Sequence, residues 1–262
     1  MDEASAGRYL GRISAQRPRE PSAEALRQLQ LRHLTAVPFE TLSIHLGEPI
    51  ALDEEALLDK VVSRHRGGFC YELNGLFAGL LRALGYPVTL LGARVFEGDE
   101  LGPPFEHLVL QVAAGGPWLV DVGFGDHCLH PLRLDAGGPQ ADPAGTFQVV
   151  AGDGEVTVLR EGRPVYVVEL RPRVLADFVP TCWWTATSPD SGFRRGPVCS
   201  RAVVGGRVTL AGRRLIRTSG GNRIETELDT DQAVLAAYQA EFGIRLPRVP
   251  SLAPGADLAR RR

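Results

Sequence analysis

The sequence predicts an α+β protein, and three observations carry that prediction. Up to Pro87 apolar residues recur at helical spacing, from Val88 the period changes to two, and one more helical stretch spans Asp231 to Phe242. At 262 residues the chain holds one large domain or two to three smaller units packed together.

The elements follow in order. Tyr9 to about Leu34 reads as helix broken at Pro18 and Pro21, with Ser22 as the N-cap of its second piece and Leu26, Leu29 and Leu34 on one face. Pro38 to Leu42 reads as a turn that sets a carboxylate, Glu40, among apolar residues. Asp53 to Val62 carries an inward stripe of Leu57, Leu58, Val61 and Val62. A further helix begins near Cys70, with Leu73, Leu76, Phe77, Leu80, Leu81 and Leu84 at i, i+3, i+4 spacing, and stops at Gly85 and Pro87.

Val88–Leu91 and Ala93–Phe96 alternate as strand and are followed by a polar turn from Glu97 to Pro104. His107–Val112 and Trp118–Val122 read as a hairpin about Gly115-Gly116, with His107 and Asp121 near its open end, facing each other if the turn is centred at 114. Short strands at Phe147–Val150, Glu155–Leu159 and Val165–Leu170 suggest a small antiparallel barrel or sheet. Phe178 to Phe193 is aromatic-rich and reads as irregular, Arg201 to Ile216 alternates again, and Gly243 caps the final helix.

Composition narrows the functional classes. A net charge of −2 gives no electrostatic case for nucleic acid. Lys60 is the only lysine, and Arg260–Arg262 read as a short frayed end. No apolar run approaches the roughly 18 residues of a membrane span, and the first residues carry no basic region followed by an apolar one. Cys70, Cys128, Cys182 and Cys199 are widely spaced with no CxxC pair, so free thiols in a reducing cytoplasm are expected.

One stretch concentrates chemistry: Arg66-Gly67-Gly68-Phe69-Cys70-Tyr71-Glu72-Leu73-Asn74. Cys70 sits at a predicted helix N-terminus, where free N–H groups and the helix dipole favour a thiolate, and the glycines let backbone or substrate approach the sulfur. The same cysteine fits a small buried residue starting a core helix. His107 opens an otherwise apolar strand and is a candidate proton partner; a structural histidine is the alternative. Asp121 stands in Trp118-Leu119-Val120-Asp121-Val122, where an unpaired buried carboxylate is costly, so it either orients an imidazole or bonds its own turn. His127-Cys128-Leu129-His130 offers metal-ligating atoms, but no second pair completes a tetrahedral site, and no metal is expected.

These segments resemble the motifs of the arylamine N-acetyltransferase family. The Arg66–Asn74 stretch is similar to its RGGxCxExN signature, Pro38-Phe39-Glu40 to its PFEN segment, Asp121-Val122-Gly123-Phe124-Gly125 to its DVGFG motif, and Thr187–Phe193 to its TSPxSxF segment. The motifs occur in family order across nearly the entire chain. The resemblance implies an N-terminal helical bundle (1–87), a central antiparallel β-barrel (88–195) and a C-terminal α/β lid (196–262), with a papain-like thiol-enzyme core. It implies Cys70 as nucleophile, His107 as its proton partner and Asp121 as the orienting group. Phe124, Gly125, Thr187, Ser188 and Phe193 would line the acyl and CoA pocket, and Glu40 and Arg66 would support the Cys70 loop as an ion pair; two solvated charges are the alternative.

The implied chemistry is ping-pong: an acetyl group passes from acetyl-CoA, a co-substrate rather than a resident cofactor, to Cys70 and then to an arylamine or arylhydrazine. Partners are therefore a small aromatic amine and an acyl-CoA, with no nucleic acid and no membrane. The chain departs from the family pattern at Thr41, often Asn, and at Asp126, often Gly, where it adds negative charge beside the expected thioester site. A short chain and a poor CoA-phosphate site would favour a related activity, an amide synthase that closes a macrolactam from an acyl carrier protein. Thiol hydrolysis is a third reading permitted by the order Cys, His, Asp.

Overall fold

The computed structural model describes residues 1–251; Arg260–Arg262 lie outside them. Helix α1 (Glu3–Arg12) begins earlier than its periodicity predicts because the Asp2 carboxylate caps it, accepting from Ser5 N at 2.8 Å. Helix α2 (Ala23–Ala36) is capped by Ser22, as expected. The predicted turn at Pro38–Leu42 is instead a strand, β1 (Phe39–Glu40), leading into helix α3 (Leu42–Leu46). Two residues cannot display an alternation, which is why the strand was invisible to pattern.

The predicted 53–62 helix divides into α4 (Glu54–Leu58) and one π turn, Asp59–Ser63. Helix α5 (Cys70–Ala83) starts at the cysteine itself and is buried along nearly its entire length. Its apolar face packs with α1, α2 and the π turn, and with Leu108, Leu110 and Val112 of the barrel wall.

The central sheet comprises β2 (Val88–Glu97), β3 (Glu100–Leu101), β4 (His107–Ala113), β5 (Pro117–Val120), β6 (Leu132–Arg133), β7 (Gln140–Asp142), β8 (Gly145–Ala151), β9 (Glu155–Arg160) and β10 (Arg163–Glu169). The strands run antiparallel in the order β6-β5-β4-β2-β10-β9-β8-β7, with β3 attached to β2. The sheet curls into a nearly closed barrel, so that Leu132 of β6 and Phe147 of β8 share one core. Gln140 bridges the gap between its edges: Oε1 accepts from Arg133 N at 2.7 Å and Nε2 donates to Arg133 O at 3.0 Å.

Strand alternation places the chemistry. On β4, Leu108 and Leu110 face α5 while Val109 faces the barrel interior, and His107 shares the interior parity. The hairpin register pairs Leu110 with Val120 and Ala113 with Pro117, so its centre lies one residue later than the sequence suggested. His107 and Asp121 therefore meet as a diagonal pair on one face rather than directly opposite.

The chain then forms α6 (Val179–Thr187) within the segment expected to be irregular. Its two aromatic residues, Trp183 and Trp184, are both exposed, so no apolar stripe facing inward announced it. Strands β11 (Val198–Val203), β12 (Gly206–Ala211), β13 (Arg214–Ser219) and β14 (Asn222–Glu227) make a second antiparallel sheet that β1 joins at its edge, through Phe39 opposite Ser200 and Glu40 opposite Cys199. Helix α7 (Asp231–Phe242) packs Val234, Tyr238 and Phe242 on this sheet and ends at Gly243, whose φ of 71° is the left-handed cap anticipated there. The C-terminal sheet thus takes its edge strand from the N-terminal third.

Beneath β1 lies a buried ionic cluster. Arg66 Nε donates to Glu40 Oε1 at 2.8 Å, and its Nη1 reaches Glu48 Oε2 at 3.0 Å. Burial opposes the Glu40 charge, but Lys60 and Arg66 outweigh it and hold the carboxyl below its ordinary value. Glu40 Oε2 also accepts from Leu42 N, so the cluster ties the loop before Cys70 to the turn after β1. Arg66→Met strips a buried carboxylate of its partner, and urea unfolding is expected to show a loss of about 3–5 kcal/mol with an unchanged slope.

Candidate active site

The turn that presents Cys70 depends on two glycines. A Cβ on Gly67 would lie 1.9 Å from the Pro38 carbonyl oxygen, and one on Gly68 would lie 2.7 Å from Glu72 Oε2. Any side chain at either position would push the loop off β1 or off the α5 cap. Phe69 supplies the N-cap backbone, and its N–H donates to Glu72 Oε2 at 3.2 Å. Cys70 is buried, and its sulfur lies 3.9 Å from the Glu106 carbonyl oxygen.

Asn74, one turn along α5, fixes the two strands against the helix. Its Nδ2 donates to Leu108 O at 2.7 Å and to Asp121 Oδ1 at 2.9 Å, and its Oδ1 accepts from Val122 N at 2.9 Å. Gly123 allows that approach, because a Cβ there would stand 2.6 Å from Cys70 Cα. Asp121 Oδ1 accepts a further bond from Gly123 N at 2.8 Å, and Oδ2 accepts from His107 Nε2 at 2.7 Å. With Nε2 committed to Asp121, the other imidazole nitrogen is left on the side of Cys70, which lies close enough to act electrostatically on the same ring. Cys70, His107 and Asp121 are thus brought together from a helix start, a strand start and a strand end.

The electrostatics follow from burial against pairing. Burial disfavours a charged His107, but the Asp121 carboxylate, its hydrogen bond and the Cys70 contact outweigh it and raise the imidazole to about 10. Burial likewise disfavours the Asp121 charge, and His107, His127 and Asn74 reverse that, lowering it to about 2. His127, buried without such a partner, is lowered to about 4 by burial itself. Its Nδ1 turns to Cys128 Sγ at 3.1 Å. Among the described residues no group of three or more histidine, cysteine or carboxylate side chains is arranged to hold a metal ion.

An aromatic wall leads outward. Phe124 stands edge-on to His107 with ring centroids 5.3 Å apart, and Phe193 packs edge-on against Phe39 and Phe69. Gly125, at φ 95°, brings its backbone against the Phe39 ring. Phe39, Phe124 and Gly125 form the inner end of a 740 Å³ cleft between the barrel and the C-terminal sheet. Thr187 and Ser188 do not line it: Thr187 Oγ1 donates to Trp183 O, and Ser188 Oγ accepts from Asp190 N. Phe193 sits behind Phe39 rather than on the cleft surface.

The outer cleft is basic, which sequence reasoning missed. Arg207 Nε lies 3.3 Å and Arg160 Nη1 3.7 Å from Asp126 Oδ1, and Arg223 joins the lining beside the Gly220-Gly221 turn. The Asp126 charge expected to repel a phosphate is thereby shared between two guanidinium groups. Nothing in the strand patterns around Arg160 and Arg207 marks them, since each occupies an ordinary position on β9 or β12. Asn74 was visible only inside the Cys70 motif, with no role attached. Thr41, the other departure, pairs with β11 by accepting from Val198 N at its hydroxyl.

Comparison with known proteins agrees with this geometry. Residues 22–250 match the N-acetyltransferase family model. An arylamine N-acetyltransferase / N-hydroxyarylamine O-acetyltransferase of Salmonella typhimurium is 34% identical over 261 residues, covering 96% of this chain and 92% of that protein. The solved M. smegmatis arylamine N-acetyltransferase superposes with a TM-score of 0.88 at 34% identity, over 98% of this chain and 99% of that one. The Mycobacterium marinum arylamine N-acetyltransferase, solved in complex with CoA, gives a TM-score of 0.84 at 33% identity over 91% of this chain and 92% of that one. Matched over almost its full length in sequence and in fold, this chain belongs to the arylamine N-acetyltransferase family.

Proposed function

We propose that the protein transfers an acetyl group from acetyl-CoA to the nitrogen of an aromatic amine through an acetyl-cysteine at Cys70. The observation that carries this reading is the buried His107–Asp121 pair, 2.7 Å between Nε2 and Oδ2, set against the cysteine at the start of α5. An imidazolium beside a sulfur at a helix N-terminus favours the thiolate. The sulfur attacks the acetyl carbonyl, a new C–S bond forms as the bond to CoA breaks, and the departing CoA thiolate takes the imidazolium proton. The neutral imidazole then accepts a proton from the incoming amine as its nitrogen attacks the acetyl-cysteine. Loss of the cysteine sulfur restores the thiolate–imidazolium pair and leaves the amide.

Asp121 acts through His107. It holds one tautomer and orientation of the ring and stabilises the cationic form. The cleft suits a donor with phosphates at one end and a thioester at the other, since Arg160 and Arg207 stand at its outer wall and Phe39, Phe124 and Gly125 at its inner end. This weakens that part of the case for a carrier-bound acyl donor which rests on a poor phosphate site. The aromatic inner wall suits a flat amine, whose low basicity leaves its lone pair free at neutral pH.

Intact-mass analysis after incubation with acetyl-CoA tests the reading directly. Wild type is expected to gain one acetyl group that an added arylamine removes, and Cys70→Ala to gain none; acetylation of both, or of neither, overturns it. Arg207→Gln is expected to raise KM for acetyl-CoA about tenfold while leaving transfer from a short acetyl thioester without phosphate unchanged.

The pair also fixes a pH dependence. A raised His107 contributes stability in full below its unfolded value of 6.5 and loses it as pH rises through about 10. A lowered Asp121 contributes above 3.8 and loses it as pH falls through about 2. Nitrogen-detected NMR is expected to find His107 doubly protonated throughout the neutral range, and Asp121→Asn to move its titration down by about 2 pH units.

A further inference from the structure

Lys60, the single lysine of the chain, is buried where a lysine is rarely tolerated. It lies in the π turn Asp59–Ser63, a widened helical turn of the kind that recurs at functional sites. Its Nζ donates to Glu72 Oε1 at 2.6 Å, and both side chains are almost fully shielded from solvent. Glu72 is the third residue of α5, two positions after Cys70. Its second oxygen accepts from Phe69 N, the backbone that enters the helix, so one carboxylate is held at both ends.

That carboxylate poses an electrostatic problem for the cysteine. A helix N-terminus assists a thiolate through its positive end, and an uncompensated anion in the same first turn works against it. The enclave contains three carboxylates, Glu40, Glu48 and Glu72, against two cations, Lys60 and Arg66. Arg66 is committed to Glu40 and Glu48, which leaves Lys60 as the partner of Glu72. Cys182 of α6 faces the same groups and is raised by burial, then by Glu72 and Cys70. Burial also raises Glu72, and Lys60 counters that shift.

We propose that Lys60 is a positioning residue for acyl transfer, neutralising Glu72 beneath the Cys70 turn so that the carboxylate fixes the helix start without opposing negative charge at the sulfur. This rests on Cys70 being the acetyl-accepting thiol. Removing the ammonium leaves Glu72 either as a bare anion beside the cysteine or as a neutral acid with one oxygen turned donor. The first outcome opposes the thiolate, and the second disturbs the capping bond to Phe69.

The test is the pH profile of Cys70 alkylation by iodoacetamide, alongside kcat/KM for acetyl-CoA. Lys60→Met is expected to move the alkylation midpoint up by about one pH unit, which is about tenfold in rate on the acid side, with a matching fall in kcat/KM. Lys60→Arg, which keeps the charge, and Lys60→Met/Glu72→Gln, which removes both charges together, are each expected to bring the midpoint back to within about 0.3 units of wild type. A merely structural role predicts lower thermal stability with the midpoint unmoved. That result, or a double variant as shifted as Lys60→Met, overturns the proposal. Failure of acetyl-CoA to acetylate wild type would instead overturn the acetyl-transfer reading, because the alkylation profile requires no acyl donor.

Discussion

The site is organised by the need to satisfy one buried carboxylate. Asp121 has lost its water, and its two oxygens recover three hydrogen bonds, from His107, Asn74 and the Gly123 backbone. Each donor comes from a different part of the chain, so meeting this requirement brings helix α5, strand β4 and the loop after β5 into one arrangement. An unpaired carboxylate in that position would cost several kcal/mol, on the order of 3–5 for a pair broken on one side. The same bonds that remove that penalty orient the imidazole and hold it charged. Stability and chemistry here share a single set of contacts.

Around this centre the fold works by close approach. Gly123 lets the barrel touch the backbone of Cys70, Gly67 lets the preceding loop touch Pro38, and Gly68 makes room for the Glu72 side chain. Two adjoining ion pairs support the same turn, Arg66 with Glu40 and Glu48 and Lys60 with Glu72, and Lys60 also acts on Glu40. The cysteine is consequently presented by rigid elements rather than by a free loop, the condition under which the proposed nucleophile would keep its alignment through two half-reactions.

Much of this was legible in the sequence because it rests on local patterns. The helical spacing after Cys70, the alternation around His107 and the isolated aspartate in an apolar strand each have a short-range signature, and together they located the centre. The pairing of His107 with Asp121 was inferred from a hairpin centre one residue too early, yet parity kept both on the same face. What escaped notice depends on distant partners. β1 is too short to alternate and is defined by pairing with β11 on one side and a bridge to Gly68 on the other. Helix α6 lacks an inward apolar stripe, since both of its tryptophans face solvent. Arg160 and Arg207 come together at the cleft only when barrel and C-terminal sheet close on Asp126. Lys60 was conspicuous as the only lysine, but its partner could not be read from spacing.

The borrowed strand bears on how the chain reaches this structure. β1 leaves the N-terminal third and completes a sheet whose other members are synthesised last, so Phe39, already bridged to Gly68 on one side, must wait for Ser200 before its other side is paired. Loop closure over that span is entropically costly and slow compared with forming the helices or the barrel hairpins. On a ribosome, the helical unit and the barrel can therefore assemble while the loop before Cys70 still lacks the sheet that braces it. On the proposed function, Cys70 would be in place early and aligned last, making final sheet closure the step at which a folded chain becomes an active one.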